Sequence, residues 1–340
     1  MVEFTVNVEN ILVIKIRYIG DVLLATSILP ALTRHFPHSR ISFMVNEGTE
    51  AVLKRNSSVE SILFVPRSGL KKQWQFLLKL RKNSFDCVID LTDADRSAII
   101  SVLSGAPIRI GFNHEYRWRG KCYTHCIEGA YGTMHMVDYH AKALEPLGIH
   151  EPGGDPELFL SDEDEHVAMR LIDDLGLSSS KWVMIHPAAR YWFKAWPPER
   201  FAAVGDALIK KGYKIVLVGN QQERDVEKSV LRHSKDSFIS LMGKTSLLEL
   251  GALMKHCSVF IGNDGGPMHM AVAVGCPVVA LFGPSNPAVW GPRGKQATVI
   301  YKGLDCRECF HPGCFRGEES CMKLISVDEV LHAAEVYLES

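Results

Sequence analysis

The stretch "ILVIKIRYIGDVLLAT" (11–26) carries the choice of fold. Its first six residues form an apolar run, and its last ten open an apolar segment of helical length, with Gly20 and Asp21 near the seam. A strand with so few polar breaks is one buried on both faces, as in a parallel sheet covered by helices. Asp21 then has two readings: the cap of the helix that follows, or the acid-base residue of an active site.

The same rhythm continues outward. "RISFMV" (40–45), "SILFV" (61–65) and "CVIDL" (87–91) read as further strands, with helix-length segments at 21–36, 48–55 and 70–82. It restarts in the second half, with strands at 182–187, 213–219, 258–262 and 277–283 and helices near 198–211, 221–233, 246–256 and 267–275. Between the halves, "EPGGDPELFLSDEDEH" (151–166) is rich in Gly, Pro and acid and suits an exposed linker. Strand-helix alternation predicts an α/β chain of two Rossmann-like, doubly wound parallel-sheet domains, 1–157 and 158–340, facing a central cleft. A length of 340 residues agrees with two domains of about 150 residues each.

Composition narrows the function classes. A net charge of −1 argues against a dedicated nucleic-acid binder. No apolar run approaches a membrane span, and "MVEFTVNVEN" (1–10) lacks the basic and apolar regions of a secretion signal, so the cytoplasm is the expected compartment. There, nine cysteines suggest buried thiols or a metal site rather than a disulfide framework.

The most informative motif is "FIGNDGGPMHMAVAVGCPVVALFG" (260–283). A strand ends in Gly262-Asn263-Asp264-Gly265-Gly266, and Pro267 opens a helix. Adjacent glycines admit a ligand to the backbone, and a helix N-terminus favours phosphate. A plain strand-helix turn capped by Asp264 is the bland alternative. The segment is neither a dinucleotide glycine fingerprint nor a P-loop, which disfavours a nicotinamide dehydrogenase. "IHPAARYWFKAWPPERF" (185–201) places Lys194 in a loop at a strand's carboxyl end, where a cation can meet a diphosphate or simply lie at the surface. "VLVGNQQERD" (216–225) offers Glu223 either to ribose hydroxyls or to a helix dipole.

Taken in order, Gly20-Asp21, "DLTDADRSAIISVLSGAPIRIGF", "IHPAARYWFKAWP", "VGNQQERD", "LMGKTSLLELGALM" and "NDGGPMHMAVAVGCPVVALFGPSNP" resemble glycosyltransferase family 9, the ADP-heptose:lipopolysaccharide heptosyltransferases of Gram-negative bacteria. The aromatic "RYWFKAWP" is most similar to the heptosyltransferase III branch. The resemblance implies a GT-B fold, with acceptor on the N-terminal domain and ADP-heptose on the C-terminal one. It also implies metal-independent transfer with no cofactor, and a one-step displacement from the opposite face would make the transfer inverting. Matched by position, Lys194 would contact the diphosphate, Glu223 the ribose, and Met242 the adenine. Asp264 would hold heptose hydroxyls, Gly265 and Gly266 the phosphates, and His269 would support the site. Where relatives often carry a hydroxyl residue after the aspartate, this chain has Gly265, so backbone amides must replace that contact.

Chemistry assigns the remaining roles. Departing ADP needs preorganised positive charge, which Lys194 and the helix N-terminus supply, and the acceptor hydroxyl needs a base, for which Asp21 is the choice beside Gly20. "DAD" (93–95) mimics a D-x-D metal motif but is better taken as solvated acids at a helix start. Arg117 and Arg119, with Lys121, are candidates for acidic groups of a lipid-linked oligosaccharide acceptor. The run 67–82, with six basic residues and no acid, is either a half-buried helix with a solvated basic face or a peripheral contact with the inner membrane. Cys306, Cys309, Cys314 and Cys321 are either a structural zinc site or reduced thiols. The last helix, about 326–339, is expected to return toward the N-terminal domain. A different nucleotide-sugar enzyme of the same fold (hexosyltransferase or epimerase) and a non-catalytic nucleotide or glycan binder remain competing readings.

Overall fold

A computed structural model describes residues 8–129, 131–306, 309 and 313–339. The first seven residues of the N-terminal stretch, and 307, 308 and 310–312 of the cysteine-rich segment, lie outside the described residues. The chain divides into two units, Met1–Phe159 and Leu160–Ser340.

In the first unit, β1 (Asn10–Ile14), β2 (Arg40–Val45), β3 (Ser61–Phe64), β4 (Cys87–Asp90), β5 (Ile108–Phe112) and β6 (His125–Ile127) form one parallel sheet in the order β3-β2-β1-β4-β5-β6. Ile11 through Ile14 of β1 are inaccessible to solvent, as the apolar run demands of a central strand. Helices α1 (Ile19–Ala25), α2 (Leu29–His35), α3 (Leu70–Lys82), α4 (Asp95–Ser104) and α5 (Met136–Ala141) complete the unit. The single helix expected over 21–36 is broken by a 3-10 turn at Thr26–Ile28. Pro30 sits in the first turn of α2, where its missing N–H costs nothing, and the Thr26 and Ser27 hydroxyls donate back to the Leu23 and Leu24 carbonyls. The segment 48–55 holds only a 3-10 turn, Glu50–Leu53.

In the second unit, β7 (Trp182–His186), β8 (Lys214–Leu217), β9 (Ile239–Ser240), β10 (Val259–Asn263), β11 (Val278–Phe282) and β12 (Ala297–Tyr301) form a parallel sheet in the order β12-β11-β10-β7-β8-β9. Its helices are α6 (Asp162–Asp174), α7 (Pro198–Lys210), α8 (Arg224–His233), α9 (Leu247–His256), α10 (Gly266–Ala273), α11 (Pro287–Trp290), α12 (Cys321–Leu324) and α13 (Val327–Leu338). The acidic end of the expected linker is not linker but the start of α6. Ser161 caps that helix, Asp164 closes the capping box, and four acids line the first turn, where the dipole favours them. The last helix, α13, packs on α7, β10, β11 and β12 of its own unit, and Tyr337 Oη pairs with Thr298 Oγ1 at 2.8 Å.

Counted from its own first strand, each sheet runs 3-2-1-4-5-6. In that doubly wound order, ligands bind outside the carboxyl ends of the strands at the switch point. The switch points lie between β1 and β4 and between β7 and β10. Among the described residues, no helix is long and apolar enough to cross a membrane.

Candidate active site

At the β7/β10 switch point the two strands end in His186 and Asn263. Buried Asn263 ties the loops together: its Oδ1 accepts the Trp196 N–H at 3.0 Å, and its Nδ2 donates to the Pro187 and Ala188 carbonyls at 2.9 and 3.1 Å. Trp196 is fully buried, donates its indole N–H to the Ile325 carbonyl at 3.1 Å and packs edge-on against Phe201. The loop between these anchors therefore has one course, and it sets Lys194 Nζ 2.6 Å from Asp264 Oδ2. Asp264 is 6% exposed at its side chain and Lys194 23%, so the carboxylate is sheltered while the ammonium keeps a face to solvent.

Beyond Asp264, α10 begins with no side chain capping its first turn, so its free amides are left for another partner. Gly265 is extended, a conformation open to any residue, and a Cβ there would meet nothing closer than 3.8 Å. Neither backbone nor packing requires glycine at this position, which leaves open space in front of the helix. His269, one turn into α10, is buried.

At the end of β8, Glu223 Oε2 accepts the Asn220 N–H at 2.8 Å and lies 3.4 Å from His186 Nε2. Burial disfavours its charged form, but His186 and the Asn220 N–H outweigh that and hold the carboxyl below its ordinary value. Gly219, at φ +157°, is obligatory here: a Cβ would stand 2.7 Å from Glu223 Oε2 and from the Met242 methyl group. Met242 is wholly buried against that turn. Lys194, Asp264, Gly265, Gly266 and His269 thus gather at one switch point, with Glu223 and Met242 together at the neighbouring strand end.

The β1/β4 switch point holds a second cluster. Asp21 Oδ2 accepts the Tyr18 N–H at 3.2 Å at the start of α1, and Asp21 Oδ1 lies 3.8 Å from Lys15 Nζ. Capping and chemistry are therefore not exclusive, since one oxygen serves the helix and the other faces a cation. Gly20 is buried in the first turn beside it. Lys15 is buried at the end of the opening strand, and its Nζ donates to the Leu91 carbonyl at 2.8 Å and to His140 Nε2 at 3.2 Å. Burial pulls the Lys15 pKa down, with Asp21, Asp90 and Asp93 opposing. Burial and the Lys15 charge hold His140 well below its usual value, so its ring is neutral.

Asp90, also buried, accepts the Thr92 N–H at 2.9 Å and the Tyr123 hydroxyl at 2.8 Å, and desolvation raises its pKa to about 6. Tyr123 reaches it by crossing β5 at Gly111, where a Cβ would stand 2.3 Å from the ring. Lys15, Asp90 and His140 escaped the sequence reading. Ionisable residues at the carboxyl ends of buried strands were the available signal for the first two.

Of the acids at 93–95, Asp95 is 36% exposed in the first turn of α4, as expected of a helix-start acid, whereas Asp93 is not solvated, which corrects the expectation for that residue. Asp93 is 10% exposed at its side chain, pairs with His114 and accepts from Arg119 Nε at 2.9 Å. Asp95 pairs with Arg117 at 3.1 Å. Arg119 is buried and also meets Glu115 at 2.9 Å, so its charge is spent on carboxylates of the protein. Arg117 keeps half its surface exposed. Cys306, Cys309, Cys314 and Cys321 are free thiols, and among the described residues no three His, Cys, Asp or Glu side chains converge as a metal site.

Residues 73–318 match the model of the family described as glycosyltransferase family 9 (heptosyltransferase). Lipopolysaccharide heptosyltransferase 3 of Escherichia coli (strain K12) is 32% identical over 84% of this chain and 86% of its own length. Among solved structures, the glycosyl transferase family 9 protein from Veillonella parvula DSM 2008 superposes with a TM-score of 0.85 and 27% identity, covering 98% of this chain and 100% of that one. The E. coli ADP-heptose lps heptosyltransferase II superposes at 0.76 with 22% identity, covering 97% and 98%, a likeness of fold. The architecture is that of the GT-B enzymes, and the chain belongs to glycosyltransferase family 9 and is a glycosyltransferase.

Proposed function

We propose that the enzyme moves heptose from ADP-heptose to the inner core of lipopolysaccharide by a single, inverting displacement that needs no metal ion. The observation that carries this reading is the Lys194–Asp264 pair beside the uncapped start of α10. It joins a cation, a sheltered carboxylate and free amides in one place, the set a sugar diphosphate requires. The names of the relatives supply the sugar and the acceptor: one is a lipopolysaccharide heptosyltransferase, and another an ADP-heptose lps heptosyltransferase.

In this scheme the acceptor oxygen forms a bond to the anomeric carbon as the bond to the β-phosphate oxygen breaks. The hydroxyl proton passes to Asp21, and the electron pair leaves with ADP. Lys194 and the amides of Gly265, Gly266 and α10 stabilise the departing charge, and their fixed placement is what lowers the barrier. Asp264 holds heptose hydroxyls, Glu223 the ribose, Met242 lies beside the adenine, and His269 supports the turn. The acids of 93–95 are engaged by Arg119, Arg117 and His114, which supports a scheme in which Lys194 and the backbone, not a metal held there, face the diphosphate. Arg117, half exposed although paired with Asp95 and Glu115, is the arginine of this turn that can meet a lipid-linked, acidic oligosaccharide at the cytoplasmic face of the inner membrane.

A donor panel read by mass spectrometry of the glycolipid product tests the proposal. Transfer from ADP-heptose, undiminished by a chelator, and none from UDP-hexoses is expected. Turnover with UDP-hexoses alone would overturn the donor assignment, and ADP-heptose binding without turnover would make the protein a binder.

A further inference from the structure

The helix α3 is scarcely held by its own unit. Of its thirteen residues only Leu80 is fully buried, while Leu70, Trp74 and Leu78 are 87%, 63% and 55% exposed. The adjacent α4 also turns Ile99, Val102 and Leu103 to solvent. Single exposed apolar residues need no explanation, but a contiguous set on two neighbouring helices does. Between the helices an open groove of about 610 Å³ is walled by Leu70, Trp74, Leu77, Ile99, Ile100 and Leu103. On the other flank of α3 lies a second groove of about 550 Å³, lined by Arg67, Lys72 and Lys79, with Glu47 its one acid. Arg67 lines both.

Charge distinguishes this face from the rest of the molecule. α3 carries Lys71, Lys72, Lys79, Arg81 and Lys82 and no acid, in a chain whose net charge is −1. Among the described residues, Lys71, Lys72, Lys79 and Lys82 make no ion pair. An apolar trough beside unneutralised cations matches an amphiphile with an anionic head, and a Leu- and Trp-bearing basic helix is suited to the plane of a membrane interface.

We infer that the α3–α4 face docks on an anionic lipid bilayer, the apolar groove taking acyl chain and the flanking lysines meeting headgroup phosphates. The inference deepens the proposal of a lipid-borne acceptor and rests on it only for its purpose. Its test uses neither donor nor acceptor, so failure here leaves the transfer chemistry untouched.

The experiment is flotation of the full chain with vesicles of phosphatidylcholine alone or of equal parts phosphatidylcholine and phosphatidylglycerol. Binding to the anionic vesicles is expected, with a blue shift of tryptophan emission that Trp74→Phe abolishes. Combined Lys71→Gln, Lys72→Gln and Lys79→Gln should weaken partitioning roughly a hundredfold, about fivefold per charge. Leu70→Ser with Trp74→Ser should weaken it at least tenfold. These side chains are exposed, so the variants should melt with the wild type, and Trp74→Gln alone serves should the double variant unfold. Equal binding to neutral vesicles, or variants that bind like the wild type, would overturn the inference. So would a dimer that the Leu70 and Trp74 changes convert to monomer, since a second copy would then cover the face.

Discussion

Replacing Asp21 by Asn separates a helix cap from a catalytic base. The amide oxygen can still accept the Tyr18 N–H that now reaches Asp21 Oδ2 at 3.2 Å, so α1 keeps its start. What disappears is a negative charge 3.8 Å from the buried Lys15 ammonium. Two unit charges near that separation interact by about 4 kcal/mol at an effective dielectric of about 20. Asp21 is 25% exposed at its side chain, and Lys15 keeps the Leu91 carbonyl, so solvent and the remaining partners reduce the net loss to about 1–2 kcal/mol. For a unit of this size that is a fall in Tm of roughly 2–8 °C. Loss of a general base costs about 10²–10⁴ in rate, or roughly 3–6 kcal/mol of barrier. The two effects differ enough to be read apart. Thermal melting, ADP titration and steady-state kcat on the same preparation should show a folded protein that binds ADP as the wild type does and turns over at least a hundredfold more slowly. An Asn variant within tenfold of wild-type kcat would refute the assignment and leave Asp21 as a cap.

Lys194→Ala strips the cation from sheltered Asp264, and should lower kcat about 10²–10³-fold while costing about 1–2 kcal/mol of stability, checked by kinetics and melting. Gly265→Ser should leave Tm unchanged, because the backbone is extended and the nearest atom to a Cβ is 3.8 Å away, and should hold or lower the KM for the donor by adding a hydroxyl toward its phosphates. Gly111→Ala is the contrasting case: a Cβ 2.3 Å from the Tyr123 ring should cost about 1–3 kcal/mol in urea unfolding. Asp90 titrates near 6 when folded against 3.8 ordinarily, so the native state holds its proton more tightly. That stabilisation is present below pH 4 and lost as pH rises to about 6, so the wild type should lose up to about 3 kcal/mol relative to Asp90→Asn between pH 4 and pH 7 in paired urea titrations.

The legible part of the fold was its buried parallel strands, because a strand covered on both faces has no polar positions to blur it. β1, β2, β4, β7, β10 and β11 were all found this way. The strands that escaped notice lie away from the centre: β6 has three residues, β9 has two, β5 carries Arg109 in its middle, and β12 is an edge strand. α5 and the body of α6 were missed as well, the latter because its acidic first turn imitates a linker. The glycine turn after β10 was visible because its chemistry is local, five consecutive residues at a strand end.

Side-chain neutralisation is a different kind of information, and the basic residues around the first switch point show why it could not be read. Lys15 finds Leu91 and His140, 76 and 125 positions along the chain, and no local pattern records such partners. Arg117 and Arg119 are two positions apart, identical in type and alike in their neighbours. The 3-10 turn Trp118–Cys122 carries Arg119 inward onto Asp93 and Glu115 and leaves Arg117 half in water. Both guanidinium groups pair with Asp95 and Glu115, but Arg119 does so buried and Arg117 half exposed. Burying a charge is tolerable only where opposite charge already waits, and of the three acids Asp93 alone pairs with Arg119 and not with Arg117. The acids that imitate a metal motif in the sequence are the reason Arg119 can be buried.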